Sequence, residues 1–130
     1  LNALYASEYC LIPTGLDHLS SYGIASLLKE IDRLNTEFAT AVPDHPMIEV
    51  GIVANNVEEN REAPKRSQKL IRERLKDSYH ELMFEPYLTR GDGIPNASEQ
   101  GYPVYADRSG NALKQGDLLM DILREFLDRI

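Results

Sequence analysis

Four basic side chains repeat at helical spacing in the middle of the chain. Lys65, Lys69, Arg72 and Lys76, which we call the basic stripe, stand at positions i, i+4, i+7 and i+11 of a predicted helix. At about 100° per residue they fall on one helix face. Residues 61–76 hold seven Lys or Arg against two Glu, in a chain of net charge −7. Two interpretations stay open: a solvated face, or a strip that contacts DNA phosphates with strongly salt-dependent affinity.

Motifs for phosphate, dinucleotide or metal chemistry are missing from the sequence. None of the five lysines follows a glycine, so there is no G-K-[ST] phosphate loop, and G-D-G at 91–93 lacks the third glycine of a dinucleotide fingerprint. His18, His45 and His80 have no metal-ligand spacing with each other or with Cys10. We therefore expect no metal site and no complete catalytic apparatus in this chain.

Alternating apolar runs and helical patterns must position these groups. Continuous apolar runs predict three buried strands, at residues 8–13, 47–57 and 81–88. Apolar residues at three- and four-residue steps predict three helices, over residues 24–38 (capped by Ser20 or Ser21), 63–79 and 113–130. Continuous apolar strands suit a sheet that is buried on both faces. The predicted fold is a single α/β domain over residues 1–130, with a three-layer, mostly parallel sheet and helices on both faces.

A long polar segment follows the third predicted strand. Residues 94–112 are rich in Gly, Pro, Ser and Asn, and we expect a loop with at most a short edge strand at P-V-Y-A. Ligands of parallel α/β sheets bind outside the carboxyl ends of the strands. The segments that follow the three strands should therefore gather at one edge of the sheet and form the ligand site.

Three segments resemble ParA/MinD-type ATPases. L-N-A-L-Y-A-S-E-Y-C-L-I-P-T at 1–14 looks like the segment after the family's Walker B strand, and V-G-I-V-A-N-N-V at 50–57 is similar to its next strand. S-E-Q-G-Y-P-V-Y-A-D-R-S-G-N-A at 98–112 looks like its S-E-A-x-x-x-G-x-P-V segment. The partition ParA branch fits best. The resemblance implies a partial P-loop NTPase-like fold, the C-terminal half of an ATPase for plasmid or chromosome partitioning.

The resemblance also implies which residues meet the nucleotide. Asn55 is similar by position to the polar residue that meets the base, and Pro86 resembles the proline after the third strand. Pro103 and Val104 match the backbone segment that lines the adenine. We call these four the base-contact residues. The stretch from Pro86 to Pro103 is longer than is typical and S-E-Q replaces S-E-A, so the alternative that Pro103 and Val104 only shape a turn and an edge strand stays open.

Cofactors and partners are implied for a longer protein. ATP and Mg would be bound through a phosphate loop and a Walker B acid upstream of Leu1, so we expect no cofactor and no ATP turnover in the isolated chain. The implied partners are the chain's own N-terminal half, a second copy in an ATP-linked homodimer, non-specific DNA and a partition partner protein. The chain opens on Leu rather than Met, and we expect it to be a fragment.

Composition argues against membrane association. No apolar stretch approaches the roughly 20 residues that span a bilayer. The polar face of the last predicted helix is mostly acidic, whereas interfacial helices are rich in Lys and Arg, so we expect this helix to pack on the sheet. A single cysteine fits a cytoplasmic protein. Two rival functions stay open: a stand-alone protein-interaction module with no nucleotide role, and a flavodoxin-like binding domain.

Overall fold

The structure, a computed structural model, describes residues 2–130. Leu1, the first residue of the segment that resembles the ATPase family, lies outside the described residues. Along residues 2–130 the elements are α1 (Asn2–Tyr5), β1 (Tyr9–Thr14), α2 (His18–Ala41), β2 (Glu49–Ala54), α3 (Glu62–Tyr79), α4 (Gly93–Glu99) and α5 (Gly110–Arg129). Two short 3₁₀ turns lie at His80–Leu82 and Val104–Ala106.

The first two predicted strands form a parallel pair. β1 and β2 run in register from Tyr9 opposite Glu49 to Thr14 opposite Ala54. The last four residues of β2 are all buried, which is typical of a parallel strand that is covered on both faces. The prediction of an α/β fold with parallel strands at these positions is confirmed.

The prediction of a third regular strand at 81–88 is wrong. The chain makes the 3₁₀ turn at His80–Leu82 and then runs alongside β2 as an irregular stretch, which we call segment 83–90. This segment pairs with the β2 region through two isolated parallel bridges, Ile52 with Met83 and Val57 with Thr89.

A proline explains why the third strand is interrupted. Phe84 donates its N–H to the carbonyl of Ile52 (2.8 Å), and Leu88 donates to the carbonyl of Ala54 (2.9 Å). Alternate residues of a parallel strand donate to the same neighbour. In a regular ladder Pro86, two residues after Phe84, would donate to the carbonyl of Ala54, but proline has no N–H, and Leu88 makes this bond two residues later. Segment 83–90 therefore follows β2 without a continuous ladder.

Alternate residues of β2 contact different helices. Ile52 and Ala54 belong to a core cluster that includes Ile24 of α2 and Ile71 and Leu75 of α3. Val53 instead packs with residues of segment 83–90 and α5. Successive side chains of a strand point to opposite faces, so the two clusters lie on opposite faces of β2.

Two predicted helices differ from their patterns in detail. In α3, Ile71 and Leu75 are buried, but the neighbouring apolar residue Leu70 is exposed. Leu70 is turned about 100° from Ile71 around the helix axis, and only the i, i+4 pair reaches the sheet. α2 begins earlier than predicted, because the Asp17 carboxylate accepts the N–H of Ser20 (2.8 Å) and caps the helix.

The predicted loop at 94–112 is largely helical. Most of it is occupied by α4, a 3₁₀ turn and the start of α5, which begins at Gly110 rather than 113. The 3₁₀ turn stands where we predicted the P-V-Y-A edge strand, so that prediction is wrong. Ala97, Val104 and Ala112 form a buried cluster. These small apolar residues dock α4 and the turn onto α5 and order a segment whose composition is typical of loops.

Gly93 lets α4 approach α5 closely. A β-carbon at Gly93 would lie 2.5 Å from the backbone nitrogen and 2.6 Å from the Cα of Ala112. Because helix backbone yields less than the end of a side chain, Gly93→Ala should destabilise the protein by about 1–3 kcal/mol through overpacking. Urea denaturation followed by circular dichroism measures the change.

Gly23→Ala is the matched control for this substitution. Gly23 lies inside α2, where an added β-carbon meets nothing within 4 Å. Alanine in a helix interior is more stable than glycine by roughly 0.5–1 kcal/mol, so this variant should gain stability. Equal gains from both substitutions would contradict the close approach of α4 to α5.

Candidate functional site

Asn55 leaves β2 at the carboxyl edge of the sheet. Its N–H donates to the carbonyl of Thr14 at the end of β1 (2.8 Å). Its side chain is exposed, and the Oδ1 atom accepts the N–H of Asn56 (2.8 Å). Asn56 has a φ of 57°, a left-handed conformation that Asn tolerates well. The chain therefore turns sharply after Asn55, whose amide lies at the surface of this edge.

Pro86 lies beside the same edge. It is half-buried within segment 83–90, two residues before Leu88. The N–H of Val57 donates to the carbonyl of Leu88 (3.0 Å), just as Leu88 donates to Ala54. The structure therefore brings the segments of Asn55 and Pro86 together by backbone hydrogen bonds, as expected for consecutive segments at one edge of a parallel sheet.

Pro103 and Val104 reach this edge only through α5. Pro103 is exposed, and Val104 is buried against Ala112 in the first turns of α5. About one turn further along α5, the side chain of Gln115 donates to the carbonyl of Thr89 (2.8 Å) at the end of segment 83–90. Asn55 and Pro86 thus lie on two segments that are hydrogen-bonded to each other. Pro103 and Val104 lie on a third segment, which is joined to them through α5.

Gln115 is a buried polar residue that the sequence analysis missed. It is 3% exposed, and besides its bond to Thr89 its Oε1 atom accepts the N–H of Ile94 (3.0 Å). It therefore links segment 83–90 to the start of α4. One signal could have revealed it: Gln115 stands three residues after Ala112 and seven before Ile122, in the helical period of the buried side of α5.

The basic stripe lies on one face of α3 but divides into two halves. Lys65 and Lys69 are exposed. Arg72 and Lys76 are half-buried and both contact Glu85 in segment 83–90: Arg72 donates to its carbonyl, and the Lys76 Nζ lies 2.8 Å from its carboxylate. Arg72 and Lys76, half of the stripe, are therefore already engaged in contacts within the protein. Its contact with DNA stays a prediction.

A cleft of about 490 Å³ opens between α3 and the carboxyl edge of the sheet. We call it the α3 cleft. Lys65, Lys69 and Arg72 line it from α3, and Tyr87 lines it from segment 83–90. The guanidinium carbon of Arg72 lies 4.6 Å from the centroid of the Tyr87 ring, which is close enough for a cation–π contact. The base-contact residues lie outside this lining.

Glu58, a buried carboxylate of the α3 cleft, has its own cations. Its Oε2 atom lies 3.0 Å from the Nη2 of Arg61 and 3.9 Å from the Nη1 of Arg90. The backbone N–H of Asn60 also donates to Glu58 (3.0 Å), and these interactions hold the pKa of the Glu58 carboxyl below its usual range. Arg61 and Arg90 are outside the cleft lining, so the charge of Glu58 is balanced from outside.

The negative charge of Glu59 is balanced in the same way. It accepts hydrogen bonds from the Nζ of Lys114 in α5 and from the hydroxyl of Tyr87 (2.7 Å). These two bonds hold the pKa of Glu59 below its usual range, and the bond to Glu59 raises the pKa of Tyr87. Sequence reasoning found neither glutamate. Arg61 is only three residues from Glu58, but Arg90 and the Lys114 that pairs with Glu59 are distant along the chain.

Comparison with known protein families and with curated proteins finds no match for this chain. Within residues 2–130, no three His, Cys, Asp or Glu side chains are grouped so that they could hold a metal ion. In the same range, no helix has both the length and the apolar character that crossing a membrane requires.

An apolar groove of about 490 Å³ lies on the α5 side of β1. Leu11 of β1 and Leu119 and Leu123 of α5 line it, and all three are exposed. We predicted that the apolar face of α5 packs on the sheet. Ile122 and Phe126 do pack there, but Leu119 and Leu123 of the same helix stay exposed in the groove.

A wider cleft of about 1040 Å³ lies at the opposite end of the strands. It is lined by Glu49 at the start of β2, by Glu81 and Glu85, and by Arg129 of α5. Because ligands of parallel sheets bind at the carboxyl ends, we place the candidate site at the other edge.

Proposed function

We propose that this chain is the C-terminal part of a ParA-like ATPase that acts in plasmid or chromosome partitioning, and that it supplies contacts to the adenine of ATP. One observation carries the proposal: Leu88 donates to Ala54 (2.9 Å) and accepts from Val57 (3.0 Å). These bonds hold the segments of Asn55 and Pro86 side by side at the carboxyl edge of parallel strands, where α/β folds bind ligands. The resemblance of the segments 1–14, 50–57 and 98–112 to the family supports it.

A three-layer, P-loop NTPase-like fold is part of the proposal. The contacts of Ile52 and Ala54 with α2 and α3, and of Val53 with α5, support helices on both faces of the sheet. Segment 83–90 would occupy the position of the third parallel strand. Residues 1–130 would then form a single α/β domain, and its strands would belong to the larger sheet of the ATPase.

The apolar groove supports an upstream partner. Within residues 2–130, β1 pairs with β2 alone, so its other edge offers N–H and C=O groups to a further strand. The exposed Leu11, Leu119 and Leu123 beside that edge are apolar area that such an addition would bury, at about 25 cal/mol per Å². In the proposal the added part is the chain's own N-terminal half, whose phosphate loop would hold the phosphates of ATP with Mg. Homodimerisation, DNA and a partition partner enter only through the resemblance.

The isolated chain is expected to show no ATP turnover above a no-protein control, because its sequence has no phosphate loop. A longer natural chain should carry K-G-G-x-G-K-[ST] upstream of Leu1 and should hydrolyse ATP. Phosphate release measures both. Turnover by residues 1–130 that survives repurification would contradict the proposal. A longer chain that binds no nucleotide would favour the stand-alone interaction module instead.

Asn55→Ala tests the base contact in the longer chain. Loss of one hydrogen bond to the adenine should weaken ATP binding by about two- to tenfold, measured by calorimetry. Asn96→Ala is the matched control, since Asn96 is an exposed residue of α4 and its truncation should leave the affinity unchanged. Equal affinities of wild type and Asn55→Ala would remove Asn55 from the proposed site.

A further inference from the structure

We propose that the α3 cleft binds a small molecule that carries a phosphate or diphosphate group, at a site separate from the base-contact residues. The proposal rests on the charge, the fixed geometry and the size of the cleft, and it goes beyond the proposed ATPase function.

The charge of the cleft is positive once its ion pairs are assigned. Glu58 and Glu59 are balanced by Arg61 and Lys114, which lie outside the lining. Among residues 2–130, Lys69 makes no ion pair within 4.0 Å, and Lys65 has only a 3.9 Å contact with the exposed Glu62. The charges of the lining lysines are therefore available to an anion.

Arg72 adds a third positive charge in a fixed position. Its guanidinium stacks on Tyr87, and its Nη2 donates to the backbone carbonyl of Glu85. Among residues 2–130, Arg72 forms no ion pair within 4.0 Å, because the Glu85 carboxylate pairs with Lys76 instead. The Nε of Arg72 is buried and has no hydrogen-bond partner in the described chain. Tyr87 is held in turn by its bond to Glu59 (2.7 Å). Because these side chains are already ordered, binding an anion costs little conformational entropy.

Size and shape favour a small ligand over DNA. A volume of about 490 Å³ falls within the range of roughly 300–1,000 Å³ that small-molecule pockets span. The buried Leu16 and Val57 give part of the lining an apolar character. A long polyanion would also meet the field of a chain with net charge −7, whereas a small dianion responds mainly to charges within a Debye length of about 8–10 Å.

The test is calorimetric titration of this chain with inorganic pyrophosphate. The double variant Lys65→Gln/Lys69→Gln should bind at least about tenfold more weakly than wild type, because two charge-assisted contacts are lost. The matched control is Arg66→Gln/Arg74→Gln, which removes the same charge from exposed positions of α3 outside the cleft lining. It should lose less than about twofold, since salt screens its contribution. Unchanged circular dichroism of both variants shows that each is folded.

Three outcomes would overturn the proposal. If wild type binds no pyrophosphate, the cleft is not a binding site. If the two double variants lose affinity equally, pyrophosphate is attracted only by the general positive charge of α3. A short DNA duplex that binds wild type and displaces pyrophosphate assigns the same lysines to nucleic acid. None of these results bears on the adenine contacts of the ATPase proposal, because the base-contact residues lie outside the cleft.

Discussion

Phe84→Ala is expected to destabilise the protein by about 3–5 kcal/mol, the cost of truncating a buried aromatic side chain. Phe84 is 0% exposed and packs with Val53 and Ile122 between β2 and α5. The guanidinium carbon of Arg129 lies 4.0 Å from its ring centroid. Truncation would remove all of these contacts and leave a cavity, against a total stability of roughly 5–15 kcal/mol for a typical domain. Urea denaturation followed by circular dichroism measures the loss.

The matched control for this variant is Tyr102→Ala. Tyr102 is an aromatic residue that is 58% exposed, and a surface truncation of this kind should change stability by no more than about 0.5 kcal/mol. Similar losses in both variants would mean that Phe84 does not anchor segment 83–90. If Phe84 does anchor segment 83–90, its truncation would also loosen Pro86. The adenine contact proposed for Pro86 would then depend on packing between β2 and α5.

The parts of the fold that sequence could predict are those encoded by local pattern. β2 is a continuous apolar run that is buried on both faces, as such runs indicate. β1 is a strand as predicted, but Leu11 and Pro13 on one of its faces are exposed, so the prediction that it is a buried strand is wrong. In α2, Ile24, Ile31, Leu34 and Phe38 are buried at the predicted helical spacing. No distant residue is needed to specify any of these elements.

The parts that sequence could not predict depend on distant contacts. Pro86 interrupts the third strand only because its missing N–H falls at a position that should donate to β2, and the pattern of residues 81–88 does not reveal that register. α4 has a composition typical of loops, yet Pro95 lies in its first turn, where proline is tolerated. Its order comes from Ala97 packing with Val104 and Ala112.

The candidate site was likewise only partly predictable from the sequence. Helical spacing correctly placed the basic stripe on one face of α3. The pairing of Arg72 and Lys76 with Glu85, and of Glu59 with Lys114, joins residues that are far apart along the chain. Such pairs decide which positive charges remain available, so the sequence alone could not locate the α3 cleft.

Gln115→Met is expected to cost about 2–6 kcal/mol, because two backbone groups would lose their hydrogen-bond partner at roughly 1–3 kcal/mol each. The carbonyl of Thr89 accepts from the Nε2 of Gln115 (2.8 Å), and the N–H of Ile94 donates to its Oε1 (3.0 Å). Methionine has a similar volume and shape, so packing is largely preserved and the loss reports on the hydrogen bonds. Urea denaturation gives its size, and hydrogen exchange at the Ile94 amide shows where protection is lost.

Gln100→Met is the matched control, because Gln100 is exposed at the end of α4 and the same change there should cost no more than about 0.5 kcal/mol. If Gln115→Met costs no more than this control, water must reach the Thr89 carbonyl and the Ile94 N–H in its place. Segment 83–90 and α4 would then be joined by packing alone. A large loss of stability with faster exchange at Ile94 would instead show that the buried amide of Gln115 couples α4 to the carboxyl edge of the sheet. The turn at Val104, which packs on α4 and α5, would be coupled to this edge as well.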